Sequence, residues 1–188
     1  VTGLDDPDLN IAYWGTGNPG PWTGDARSGD NLYTDSVIAL DVDTGKLKGH
    51  HQYHWNDSWD WDEVSPGILV DLNRDGRIFK GLVHPGRDGY LWTLRRNDDG
   101  TLNFVSGEAY VFQNVFKSLD PVSGRPEYNM EHKPALGKEA SYCPSLSGGK
   151  NWVPEAYSPQ TGLLYIPAND NYCSGWAGEP VEYRPGQA

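Results

Sequence analysis

The sequence has no apolar run long enough to cross a bilayer, and no secretory leader or lipidation motif. It is poor in positive charge: 15 Lys and Arg stand against 26 Asp and Glu, a formal net charge of −11 over 188 residues. No basic stripe is visible, so nucleic acid is not expected as a partner. Almost no stretch has helical periodicity, which argues against a helical fold. No Ser-His-Asp order, zinc-type His/Cys cluster or Gly-rich dinucleotide fingerprint is present, which removes three common enzyme classes. Cysteine is limited to Cys143 and Cys173. That pair fits one structural disulfide in an oxidising compartment, or two free buried thiols; composition leaves both open.

What is abundant is aromatic and turn-forming. Eight Trp, eleven Tyr, 23 Gly and 14 Pro favour strands joined by tight turns and argue against disorder. Short apolar runs bounded by Asp, Asn and Gly predict strands at Ile11–Trp14, Ser36–Leu40, Gly67–Val70, Phe79–His84, Tyr90–Leu94 and Leu163–Pro167. A loose repeat joins Ala39–Gly45, Lys117–Gly124 and Ala156–Gly162, each a strand followed by a Thr-Gly or Ser-Gly turn. Self-similarity of this kind points to a propeller, with an ordinary β-sandwich as the competing architecture. The chain opens on Val1 within an apparent strand region, so it is expected to be an internal piece of a longer domain. Residues 1–188 are read as one partial domain.

Four clusters carry chemistry. Gly15-Thr16-Gly17-Asn18-Pro19-Gly20-Pro21-Trp22 follows a strand; its glycines admit close backbone approach, and Asn18 offers a neutral oxygen to a hard cation. A conventional turn explains the same segment. Trp55 to Glu63 places four acids and three tryptophans in nine residues. On a strand, Asp60 and Asp62 point the same way and repel unless a cation sits between them. The flanking tryptophans are expected to exclude water, and a carboxylate there can take a proton from an alcohol. A solvated acidic loop is the bland alternative. His84-Pro85-Gly86-Arg87-Asp88-Gly89 puts Arg87 in a turn between two strands, suited to a carboxylate or quinone oxygen, or simply exposed on a hairpin. Cys143-Pro144 through Asn151-Trp152 again sets glycines before an amide and an indole. Asp71 to Gly76 begins like a calcium loop, but position twelve is Leu82 where a bidentate Glu is needed, so it reads as a hairpin.

In this order, the four clusters resemble the quinoprotein methanol and ethanol dehydrogenases, over essentially the whole chain. The resemblance implies an eight-bladed β-propeller that binds pyrroloquinoline quinone (PQQ) beside a calcium or lanthanide ion. It implies that Asn18 ligates the metal, that Asp60 is ligand and general base, and that Arg87 hydrogen-bonds the quinone oxygens. Asn151, with Trp152 next to it, would lie beside the quinone. Cys143 and Cys173 would form the family's later disulfide, which favours a periplasmic home. Asp62 departs from the calcium-type pattern of a small residue and matches lanthanide-dependent members. A trivalent ion favours one more anionic oxygen, so a lanthanide is expected, with calcium as the alternative.

The implied reaction oxidises a primary alcohol to an aldehyde and passes electrons to a c-type cytochrome or other acceptor; a homodimer stays open. The family's metal-binding glutamate, vicinal disulfide and the Trp beneath the quinone are expected upstream of Val1, so this stretch alone should not turn over. Two other classes compete: a non-catalytic propeller scaffold, and a calcium-binding carbohydrate-active β-protein.

Overall fold

A computed structural model describes residues 2–180, 182, 184 and 185; the ends of the expected domain, Val1 and 186–188, lie outside them. Among the described residues the regular structure is strands, with two short 3₁₀ turns at Gly24–Ala26 and Met130–His132. Strands β1 (Leu4–Asp6), β2 (Ile11–Gly15), β3 (Ser36–Asp41) and β4 (Leu47–Gln52) form one antiparallel meander. Strands β5 (Ile68–Arg74), β6 (Arg77–Pro85), β7 (Tyr90–Arg96) and β8 (Leu102–Ala109) form a second. Four-stranded meanders in series are the blades of a propeller.

The rest is built from pairs. Strands β9 (Phe116–Leu119) and β10 (Pro126–Tyr128) make one hairpin, and β12 (Ala156–Ser158) and β13 (Leu163–Tyr165) another. Strand β11 (Ala140–Tyr142) pairs with β14 (Ser174–Trp176). Cys143 follows β11 and Cys173 precedes β14, one step further in the same register, and the two form a disulfide with Cα atoms 4.4 Å apart.

The expected strands are present with shifted limits. Gly67–Val70 proves to be the start of the longer β5, and Leu163–Pro167 stops at Tyr165. The calcium-like segment is a hairpin: Asp75 and Gly76 both take positive φ, at 54° and 78°, as a two-residue turn between twisted strands requires. The three repeat segments share one turn. In each, a glycine at φ near 70° (Gly45, Gly124, Gly162) donates its N–H at 2.8 Å to the carbonyl four residues earlier (Asp41, Asp120, Ser158). A residue with a Cβ would be strained there.

The core is aromatic. Alternation on β2 buries Ile11 and Tyr13, and on β7 Trp92 and Leu94. Between the two blades His51 of β4 stacks on Phe104 at 6.0 Å and lies beside Tyr53 and Trp92. Arg96 and Asp6 form a buried ion pair linking β7 to β1, and Arg96 Nε donates to Gly81 O at 3.0 Å.

Candidate active site

Three connections bring the site together. The β2–β3 connection carries Asn18, the long β4–β5 connection carries Asp60 and Asp62, and the β6–β7 turn carries Arg87. Glu63 N–H donates to Thr16 O at 3.2 Å, which fastens the first connection to the second. Asn18 N–H donates to Asp62 Oδ1 at 3.0 Å, and Asn18 Nδ2 to Asp60 Oδ1 at 2.6 Å. Arg87 Nη1 donates to Asp62 Oδ2 at 3.0 Å. A Cβ on Gly17 would stand 2.4 Å from Asp62 Oδ1, so only glycine lets this backbone pass the carboxylate.

The four residues, singled out from three clusters, thus form one chain of contacts. The reason differs from the expectation. Residues 53–67 form no strand, so Asp60 and Asp62 do not share a strand face. Asp60 sits at φ +63° in an irregular loop, a conformation that Asp tolerates better than most residues. The tryptophans also have a structural task. Trp59 and Trp61 are fully buried under the loop, stacked at 5.1 Å, with indole N–H groups donating to His132 O and Ser145 O. Trp55 stacks on Tyr128 at 4.6 Å. They anchor the loop to neighbouring sheets.

Electrostatics follow from the crowding. Asp60 is half-buried, and burial together with the Asp62 charge pushes its carboxyl up to about 6. Arg87 opposes that rise. Its Nη2 donates to Leu146 O at 2.7 Å, while its Nε–H is buried without a partner.

Asn151 and Trp152 stand on the loop after the disulfide. Gly149 N–H of that loop donates to Arg87 O at 2.9 Å. The Asn151 side chain accepts from Trp152 N–H at 2.7 Å, and Trp152 is exposed. No hydrogen bond joins the Asn151 side chain to Asn18, Asp60, Asp62 or Arg87 among the described residues. A groove of about 810 Å³ runs along β9 and β10 beside Trp55 and includes none of these residues.

Sequence reasoning missed the layer beneath. His54, Asp57, Glu63, His84 and Asp88 are buried under the four residues. Glu63 and His84 Nε2 lie 2.7 Å apart. Burial works against the charge on Glu63, yet the bond to His84 and the charges of His84 and His54 hold its carboxyl below the usual range. Burial likewise opposes charge on His54, and the surrounding Asp35, Asp57 and Asp88 lift it well above the imidazole range. Burial and Glu63 push Asp88 up to about 6. The one signal available was the excess of acids over the two that the site needs.

Residues 4–106 match the family described as "PQQ: Glucose/ethanol/alcohol dehydrogenase, beta-propeller domain". The quinoprotein alcohol dehydrogenase PedH of Pseudomonas putida is 35% identical over 192 residues, covering 99% of this chain and 32% of its own length. A lanthanide-dependent methanol dehydrogenase of Methylacidiphilum fumariolicum is 37% identical over 183 residues, covering 96% of this chain and 29% of its own. The structure of a europium-containing methanol dehydrogenase superposes with a TM-score of 0.91 at 36% identity, covering 99% of this chain and 32% of that one. The chain therefore spans about a third of the length of these relatives. It belongs to the glucose/ethanol/alcohol dehydrogenase β-propeller family and forms part of such a propeller.

Proposed function

We propose that this chain supplies one side of the active site of a PQQ-dependent alcohol dehydrogenase. The convergence of Asn18, Asp60, Asp62 and Arg87 from three separate connections carries the reading. The residues fit an ion: two carboxylates stand together with one guanidinium, and Asp60 is pushed up by burial first and then by the Asp62 charge. Turning the Asn18 amide over would present Oδ1 in place of Nδ2. Asn18, Asp60 and Asp62 would hold the ion. The residues also fit a quinone, since Arg87 has a spare donor in Nε–H.

When bound, the quinone accepts two electrons and the ion acts as Lewis acid. Asp60 takes the proton of the alcohol hydroxyl as general base. Arg87 brings a fixed positive charge to the acceptor side and is itself held by Asp62 and the Leu146 carbonyl. Asn151 and Trp152, on the loop bounded by the disulfide, are read as the residues that would lie beside the quinone.

Asp62 supports a lanthanide over calcium, as does the likeness to proteins named lanthanide-dependent and europium-containing. The substrate class is a primary alcohol, the product an aldehyde. A relative is named methanol dehydrogenase [cytochrome c] subunit 1, which supports a c-type cytochrome as acceptor. The disulfide supports a periplasmic location. Residues 1–188 are read as a partial propeller domain.

The test uses the full-length parent protein loaded with PQQ and a lanthanide. Asp60→Asn should lower alcohol-dependent dye reduction at least about 100-fold. Turnover within threefold of the unaltered protein would sink the assignment.

A further inference from the structure

The buried layer under the site reaches up to it through backbone N–H groups. Asp57 Oδ2 accepts from Trp59 N–H at 3.2 Å and from Asp60 N–H at 2.9 Å. These bonds hold the bend in which Asp60 takes positive φ. Glu63 Oε2 accepts from Arg87 N–H at 3.1 Å, and Glu63 Oε1 from Asp88 N–H at 3.2 Å. Asp57 therefore fixes the backbone of Asp60, and Glu63 fixes the backbone of Arg87.

His54 lies between the two and is fully buried. Its Nε2 is 3.2 Å from Asp57 Oδ1 and 3.7 Å from Asp35 Oδ1. Its Nδ1 is 3.8 Å from both Glu63 Oε1 and Asp88 Oδ2. The Trp61 indole meets the ring edge-on at 5.9 Å and limits its rotation. One planar ring thus spans two pairs of buried carboxylates, with one nitrogen toward each pair. Without it, Asp57 and Glu63 lose the cation between them, and Asp35 and Asp88, whose carboxyls burial already raises, are pushed further toward the neutral form. A carboxyl that repacks in response shifts the backbone N–H groups it accepts from, and with them Asp60 and Arg87.

We propose that His54 is a positioning residue that ties the Asp60 half of the site to the Arg87 half and sets their separation. It touches neither the ion ligands nor the reacting atoms. The proposal rests on the reading of Asn18, Asp60, Asp62 and Arg87 given above.

The experiment measures terbium affinity by tryptophan-sensitised luminescence on the full-length parent protein, with kcat and KM for the alcohol on the loaded enzyme. His54→Leu leaves Asp35 without a partner and risks misfolding, so His54→Leu/Asp35→Asn is measured beside it. Folding is checked by near-ultraviolet circular dichroism. In whichever variant is folded, terbium affinity should fall about tenfold and kcat at least fivefold, with KM within twofold. The exposed His50→Gln should change neither. Unaltered affinity and kcat in a folded variant overturn the proposal. So does a bound ion held by His54, Glu63 and Asp88, whose ligand atoms lie within 4.8 Å of one another, because the histidine is then a ligand. Asp62→Ala in the same titration separates the two readings. If Asp62→Ala leaves terbium affinity intact, the site reading itself fails. If it weakens binding while the His54 variants do not, only the positioning role fails.

Discussion

Two acidic layers lie one above the other in this protein, and they settle their charge in opposite ways. The lower layer, Asp35, Asp57, Glu63 and Asp88, is closed to solvent and surrounds two histidines. The carboxylates of Asp57, Glu63 and Asp88 are also met by backbone N–H groups and by the Trp92 indole at 2.9 Å, whereas Asp35 accepts no hydrogen bond and burial pushes its carboxyl well up. The upper layer, Asp60 and Asp62, is partly open and has one arginine and one amide. A buried set of charges must be neutralised within the fold, because desolvation penalises every unpaired member. A partly open set can stay short of positive charge until a cation arrives. On the proposed reading, the lower layer carries stability and positioning, and the upper layer binding.

Variants should break the two layers differently. The largest effect is expected from Glu63→Leu, which leaves His84 and two backbone N–H groups without their acceptor. A loss of about 3–5 kcal/mol is expected in urea denaturation. A loss under 1 kcal/mol would place Glu63 outside the structural layer. Asp62→Ala should do the reverse: terbium binding weakens about tenfold or more, while the melting temperature of the ion-free protein moves by only a few degrees.

A pH series sharpens the contrast through His51, which faces aromatic rings and His84, not carboxylates. Burial, then the neighbouring His50 and His84, pushes it down to about 3 from 6.5. Its folded value lies below its unfolded one, so the unfolded chain takes the proton first. Stability should fall as pH drops from about 6.5 toward 3, by at most about 1.4 kcal/mol per unit from this group. His51→Phe should flatten that slope relative to the unaltered protein, and an unchanged slope would exclude His51 as the cause. The smallest effect is expected from Asp60→Asn without metal at pH 7: a gain under about 1 kcal/mol, because Asp60 is half exposed and its repulsion is screened. A clear loss would mean that Asp60 is a structural acid.

The upper layer was legible in the sequence because each member sits in a local pattern: Asn18 among glycines and prolines, Asp60 and Asp62 between tryptophans, Arg87 in a turn. The lower layer was not, because His54 and Asp35 belong to no local motif. They matter only when β3, β4 and the long connection are folded together. Strand positions were read well where apolar runs were short and bounded, as in β2 and β7. They were read poorly at β8, where Leu102–Ala109 alternates weakly and ends in Gly and Glu. The conformation of 53–67 was not legible: the spacing of Asp60 and Asp62 allows a shared strand face, and the segment is an irregular loop. Here the tryptophan indole N–H groups seek carbonyls in other parts of the chain.

The disulfide gives the two halves of the site a common tether. Cys143 and Cys173 bound a 30-residue arc that bears Gly149, Asn151 and Trp152. That arc meets the β6–β7 turn through the Gly149 bond to the Arg87 carbonyl. Closing a loop of this length limits the freedom of the unfolded chain by roughly 3–4 kcal/mol. Thiol oxidation thereby secures both halves of the site at once: the same arc takes the Trp61 indole N–H at Ser145 O and the Arg87 guanidinium at Leu146 O.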